Sequence, residues 1–186
     1  MNTGKDRNQA VPHDTEDRGW WYLHGEKLEE KFVSICRGKL KINASINPQK
    51  IDDKTVPDLI VEGALADLKT QNTPFFTVSR YNMDPRFTVT FNRKDYERYQ
   101  ALYPDIVIYF WLDWTQTRWQ KNEVEYLGGV FRLPFSAIVA MIESGAPEHH
   151  YVHRQSPEDR NAKSSFLLDV RTFETLFIAK NRDGTF

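Results

Sequence analysis

The stretch TVPDLIVEGALADLKTQ, residues 55–71, decides how this chain folds. Val56, Asp58 and Ile60 alternate with Pro57, Leu59 and Val61. Beyond Glu62-Gly63 a second alternation puts Leu65, Asp67 and Lys69 on one face and Ala66, Leu68 and Thr70 on the other. Two runs of period two joined by two residues ending in glycine predict a β-hairpin. With Glu62 and Gly63 as the turn, Val61 pairs with Ala64. Counting outward then sets Asp58 opposite Asp67, with Lys69 two residues further along the same face. A slip of one residue would send one carboxylate to the other side of the sheet. Like charges directly opposite destabilise a sheet, and crowded carboxylates resist ionising unless a cation lies between them. A divalent metal removes the conflict, and hard oxygen ligands suit Mg²⁺.

Upstream, residues 24–37 (HGEKLEEKFVSICR) gather Leu28, Phe32, Ile35 and Cys36 on one helical face, with Glu26, Lys27, Glu30 and Lys31 mostly opposite. Glu29 falls on the flank of the apolar face, able to lean towards the sheet. The alternative reading is a solvated surface residue. Pro57-Asp58 followed by Asp67-Leu68-Lys69 on the next strand, behind a helix carrying Gly25 and Glu29, resembles the signature of the PD-(D/E)XK (restriction-endonuclease-like) nuclease superfamily. The resemblance covers residues 25–71. It implies an α/β fold with a restriction-endonuclease-like core, in which a central mixed β-sheet is flanked by helices.

Downstream, a strand is expected over 75–80 and another over 88–91. Asn92 is placed as the N-cap of a helix Arg93–Leu102, with Tyr96, Tyr99 and Leu102 inward and Arg93, Lys94 and Arg98 exposed. The apolar run 106–112 predicts a strand buried on both faces. Residues 125–132 (EYLGGVFR) read as a strand with a Gly-Gly bulge or close approach, and Pro134 opens a helix closed by Gly145. Residues 40–46 read as a short edge strand or irregular chain. Residues 146–164 read as a polar surface loop; their His149, His150 and His153 lack a zinc-site spacing. A last strand is expected over 165–170, followed by a short helical turn. Residues 1–18 read as a flexible polar tail and 19–186 as a single domain.

The chain has 186 residues, a formal charge of −1, 40% hydrophobic content and a single cysteine. These suit one globular domain with a sizeable core. The run 106–112 is too short to span a bilayer, and the first residues lack the apolar core of a secretory signal. One cysteine excludes an internal disulfide and agrees with a cytoplasmic setting. A near-neutral balance does not suit a protein that coats DNA non-specifically; it favours contact through a confined cleft, with a metal supplying part of the positive charge.

Phosphodiester hydrolysis needs a more acidic water, a shielded phosphate and a stabilised leaving oxygen. Asp58 and Asp67 are the candidate Mg²⁺ ligands, with Mn²⁺ expected to substitute. The resemblance adds the backbone carbonyl of Leu68 as a third ligand and Glu29 for a second metal, directly or through water. Lys69 is the candidate for orienting or activating the water and stabilising developing charge, and Gln71 for positioning water or phosphate. The resemblance further implies DNA as substrate, with 5′-phosphate and 3′-hydroxyl products. Arg80, Arg86, Arg93, Lys94 and Arg98 are candidate phosphate contacts. Cutting both strands of a duplex is most simply done by a two-fold dimer. The competing expectation is a non-catalytic nucleic-acid-binding or assembly subunit of the same fold. An unrelated hydrolase of small phosphates would need a glycine-rich phosphate cradle, which the sequence lacks.

Overall fold

Helix α1, Arg18–Ile35, opens the computed structural model, which describes residues 18–152 and 164–179, with side chains from residue 25 onward. Residues 1–17 of the expected tail and His153 lie outside the described residues, while Arg18 already belongs to α1. The helix starts earlier than residue 24, where its sequence periodicity begins. It ends in a wider turn, Cys36–Leu40, closed by Lys41 in the left-handed region (φ 58°). Strand β1, Ala44–Ile46, follows, then a single tight turn, Pro48–Ile51, and the hairpin of β2, Leu59–Val61, and β3, Ala64–Gln71. The hairpin register is the predicted one: Val61 pairs with Ala64, Ile60 with Leu65 and Leu59 with Ala66. Glu62 (φ 51°) and Gly63 (φ 82°) both adopt positive φ, the signature of the tight turn whose twist matches flanking strands. Glu62 is held there by its carboxylate, which accepts from the Asn43 amide at 2.5 Å.

Among the described residues the remaining elements are β4 (Thr88–Asn92), α2 (Arg93–Leu102), β5 (Val107–Asp113), a minimal hairpin of β6 (Arg118–Trp119) and β7 (Asn122–Glu123), β8 (Gly128–Pro134), α3 (Phe135–Glu143), β9 (Glu148–His150), β10 (Ser164–Asp169) and β11 (Glu174–Ala179). A six-stranded mixed sheet runs in the order β1-β2-β3-β5-β8-β11. Strand β5 lies at its heart, parallel to β3 and antiparallel to β8, which is why its sequence is apolar without alternation. One face packs α1 through Phe32, Val33, Ile35 and Cys36 against Leu59, Leu68, Tyr109 and Trp111. The other packs α2 and α3 through Tyr99, Phe135 and Ile138 against Ile108, Phe110 and Phe131. Each such large apolar side chain contributes roughly 1.5–3 kcal/mol on burial. The protein is therefore an α/β fold with a central mixed sheet flanked by helices. Among the described residues, no helix is long and apolar enough to cross a membrane.

Several expectations are corrected. Residues 75–80 form no strand: Pro74 has no amide to donate, Phe76 and Val78 are spent on the core, and Val78–Tyr81 makes a single helical turn. Strand β4 leaves the central sheet and pairs with β10, which pairs with β9, in a second three-stranded sheet. The segment expected as a polar loop thus contains β9, a polar edge strand held by its backbone to Ser164, Ser165 and Phe166. Asn92 precedes α2, yet its side chain does not cap the helix; it accepts from Ser165 Oγ at 2.8 Å. Leu102 is 64% exposed. Three-residue steps from Tyr96 through Tyr99 lag each helical turn by about 60°, so the third residue leaves the buried stripe. Strand β11, absent from the sequence reading, covers β8, with a register shift between Thr175 and Phe177. Close approach, not a bulge at the glycine pair, explains Gly129, where a Cβ would meet the Phe177 carbonyl oxygen at 2.5 Å.

Candidate functional site

The hairpin register fixes where the acids go. Leu59 and Val61 turn towards α1, so Asp58 and Ile60 share the other face with Leu65, Asp67 and Lys69. Asp58 sits one step before β2, at the position that continues the pairing opposite Asp67. Its Oδ2 accepts from the Leu68 amide at 3.3 Å, which ties it across to β3. Asp67 is 2% exposed, and Lys69, its ion-pair partner, reaches on to Asp95 of α2. Burial pushes its carboxyl above the usual range, Lys69 opposes that and the nearby Asp58 adds to it. The sequence-predicted acids therefore do come together.

Lys69 Nζ lies 2.7 Å from Asp67 Oδ2, 2.6 Å from Asp95 Oδ2 and 3.3 Å from the Tyr99 hydroxyl, above the Tyr99 and Phe91 rings. Burial works against its charge, but Asp67, Tyr99, Asp95 and Asp58 together outweigh burial and hold the ammonium well above the ordinary lysine value. Asp95 and Tyr99 come from α2, at positions 26 and 30 residues away in sequence. Nothing in the local pattern around Lys69 names them.

Glu29 is also buried, at 9% exposure, and leans inward as its place on the flank of α1 suggested. Its partner is a residue the sequence reading passed over. Lys50, also 9% exposed, places Nζ 2.6 Å from Glu29 Oε1 and 2.5 Å from Asp58 Oδ1. Burial disfavours this ammonium too, and Asp58 and Glu29 more than compensate, raising its pKa. A lysine in an Asn-Pro-Gln-Lys turn carries no periodicity or motif that would single it out. Asp52 and Asp53, in the following loop, are exposed, as expected.

Gln71 continues the Lys69 face, but its amide is occupied: Nε2 donates to the Thr90 carbonyl at 2.8 Å and to Thr90 Oγ1 at 3.0 Å, joining β3 to β4. The candidate phosphate contacts are likewise engaged. Arg93 grips Glu148 with two nitrogens, Arg80 lies 2.7 Å from His149 Nδ1, and Arg86 pairs with Glu125. Arg98, expected to be exposed, is part-buried because Asp95 and the Tyr99 hydroxyl, each 2.9 Å away, fold it back onto α2. Lys94 lies on the exposed face of that helix.

Among the described residues, no three His, Cys, Asp or Glu side chains gather closely enough to hold a metal by themselves. Mg²⁺ does not require it, since it commonly takes one or two carboxylates and keeps several waters. Two features of the donor set bear on such an ion. Asp67 Oδ2 is buried and is met by the Lys69 ammonium at 2.7 Å. The cluster also sets four carboxylates (Glu29, Asp58, Asp67 and Asp95) against three cations (Lys50, Lys69 and Arg98), leaving negative charge in excess when all are ionised. A cavity of about 240 Å³ lies elsewhere, near the β2–β3 turn, lined by residues such as Val61, Leu65, Tyr109 and Arg132, and none of the clustered acids or lysines borders it. Comparison with protein-family models, with curated proteins and with solved structures gives no match.

Proposed function

We propose that this chain is a Mg²⁺-dependent nuclease hydrolysing DNA phosphodiesters on a restriction-endonuclease-like, PD-(D/E)XK fold. The observation that carries the reading is the convergence of Asp58 and Asp67 across a two-residue turn, with Lys69 on the same face and in contact with Asp67. The order α1, hairpin, α2, β5 resembles the superfamily core as well. Asp58 and Asp67 would hold the ion, assisted by the Leu68 carbonyl. Once bound, the ion acidifies water and shields the phosphate.

The chain's own contribution lies chiefly in Lys69. Its ion pairs with Asp67 and Asp95 favour the ammonium form, a hydrogen-bond donor. It orients the attacking water and stabilises charge growing on the phosphate oxygens. Asp95 and Tyr99 fix its position by contacts on the α2 side. A new bond forms from water oxygen to phosphorus while the bond to the 3′ oxygen breaks; the attacking water gives its proton to bulk solvent and the departing 3′ oxygen takes one from solvent, leaving 5′-phosphate and 3′-hydroxyl ends. Arg93 and Lys94, at the start of α2, and Arg80 would steady the DNA backbone; for Arg93 this means exchanging Glu148 for a phosphate. A two-fold dimer would supply the second site for a duplex cut.

The test incubates purified protein with linear, branched and single-stranded DNA in Mg²⁺ or Mn²⁺, beside Lys69→Ala and Asp67→Ala. Each variant is expected to lose roughly 10²–10³-fold in cleavage rate. Equal cleavage by all three proteins would remove the site from the chemistry. A second reading, a non-catalytic nucleic-acid-binding or assembly subunit of the same fold, is favoured by the protein cations already seated on Glu29, Asp58 and Asp67. Failure to take up Mn²⁺ or Mg²⁺ at millimolar levels, with the fold intact, would select it.

A further inference from the structure

Lys50 is not a surface lysine that happens to fall near two acids. Its turn is pinned by Asn47, which is 2% exposed: Asn47 Oδ1 accepts from the Gln49 amide at 3.1 Å, and Nδ2 donates to the Pro57 carbonyl at 2.9 Å. The Asn47 amide donates to the Asp58 carbonyl, also at 2.9 Å. One buried side chain thus locks the loop that carries Lys50 to the residues that carry Asp58. Glu29, arriving from α1, supplies the other half of the cradle. The two carboxylates each give one oxygen to the same ammonium, at 2.6 and 2.5 Å. Asp58 turns its remaining oxygen to the Leu68 amide, on the strand that carries Asp67.

We propose that Lys50 is the resident cation of this site, filling the position between Glu29 and Asp58 that a second divalent ion would otherwise take. The inference rests on the nuclease reading above and deepens it: the site then holds one divalent ion, at Asp58 and Asp67. Lys50 is a positioning residue. It neutralises Glu29 and orients Asp58 without touching the phosphate. An ammonium and a divalent ion cannot share the cradle, because both need the same oxygen pair and their charges repel.

Calorimetric titration with Mn²⁺ alone tests this on the wild type, Lys50→Met, Lys50→Arg and the double variant Lys50→Met/Glu29→Gln. Lys50→Met is expected to bind one more Mn²⁺ per chain than the wild type. The double variant is expected to lose the extra ion, and Lys50→Arg to keep the wild-type number. Thermal melts guard against simple misfolding. Lys50→Met should melt below the wild type and recover more on adding millimolar Mn²⁺ than the wild type gains, as binding to the native state alone requires. An unchanged ion count in folded Lys50→Met overturns the proposal, as does a variant that stays unfolded in Mn²⁺. A wild type binding none and a Lys50→Met binding one would keep Lys50 as resident cation while striking down the Asp58–Asp67 metal site. One ion in each would do the reverse.

Discussion

Lys69 meets Asp67 from two residues away on the same strand, whereas Lys50 reaches its acids across 21 residues to Glu29 and 8 to Asp58. Both ammonium groups face the same problem, a buried charge next to buried acids, and both are held above the ordinary lysine pKa by those acids. Their dependence on the fold differs. The first pair exists wherever β3 is extended, because alternation alone puts residues two apart on one face. The second exists only when α1, the Asn47–Lys50 turn and the start of β2 have docked together. Of the two, the Lys50 cluster is the one that registers assembly at the β1–β2 edge of the sheet.

Removing each lysine should separate burial from connectivity. Lys69→Met leaves Asp67, with a side chain 3% exposed, without its ion-pair partner, while Asp95 keeps Arg98. Breaking a buried pair from one side costs about 3–5 kcal/mol. Lys50→Met strands Glu29 and Asp58, whose side chains keep 11% and 21% exposure and so some hydration. A loss of about 2–3 kcal/mol is expected there. Denaturant melts of the two variants and of their double give the comparison directly. Asp58 bears on both lysines, so the double should depart from additivity by at least ~0.5 kcal/mol. Equal single losses with strict additivity would mean that the two clusters are independent and equally solvated.

The same contrast explains what the sequence revealed. The hairpin was readable because its register, its turn and its facing acids depend on neighbours within a few residues. Glu29 was readable from its helical flank, though not its partner. Lys50, Asp95 and Tyr99 were invisible as site residues because each joins through a contact between separate elements. Strand β9 hid behind its polarity, since an edge strand is held by backbone pairing and needs no apolar alternation. Strand β11 hid because the shift between Thr175 and Phe177 breaks its period of two. The segment 75–80 misled in the opposite sense: residues prone to strands went into core packing on a turn.

Gly63 tests whether the local half of the comparison is as self-contained as it looks. At φ 82° a side chain is strained, yet a Cβ there would meet nothing within 4 Å. Gly63→Ala should therefore cost only the backbone penalty, about 1–2 kcal/mol, and leave the pairing of Val61 with Ala64 in place. Cross-strand proton contacts by NMR would show this. A shifted register would mean that the turn, and not the buried faces of β2 and β3, sets where Asp58 and Asp67 meet.

The smallest effect is expected from an ion pair that links distant elements but stays wet. Arg93 at the start of α2 holds Glu148 of β9, with side-chain exposures of 42% and 19%. That contact, reinforced by Ser164 and His150 against a modest cost of burial, lowers the Glu148 carboxyl to about 2. A carboxylate whose folded pKa lies below its ordinary value of 4.5 stabilises the fold above pH 4.5. That contribution fades as pH falls towards 2, because the folded state must then bind a proton at a site that resists it. Solvent screening limits the effect to about 1 kcal/mol or less. Glu148→Gln should lower stability by that amount at pH 6, and the gap from the wild type should close as pH falls from 4.5 towards 2. A gap that persists undiminished towards pH 2 would assign Glu148 a role in packing instead of charge, and would show that long-range pairing, even when hydrated, can matter as much as burial.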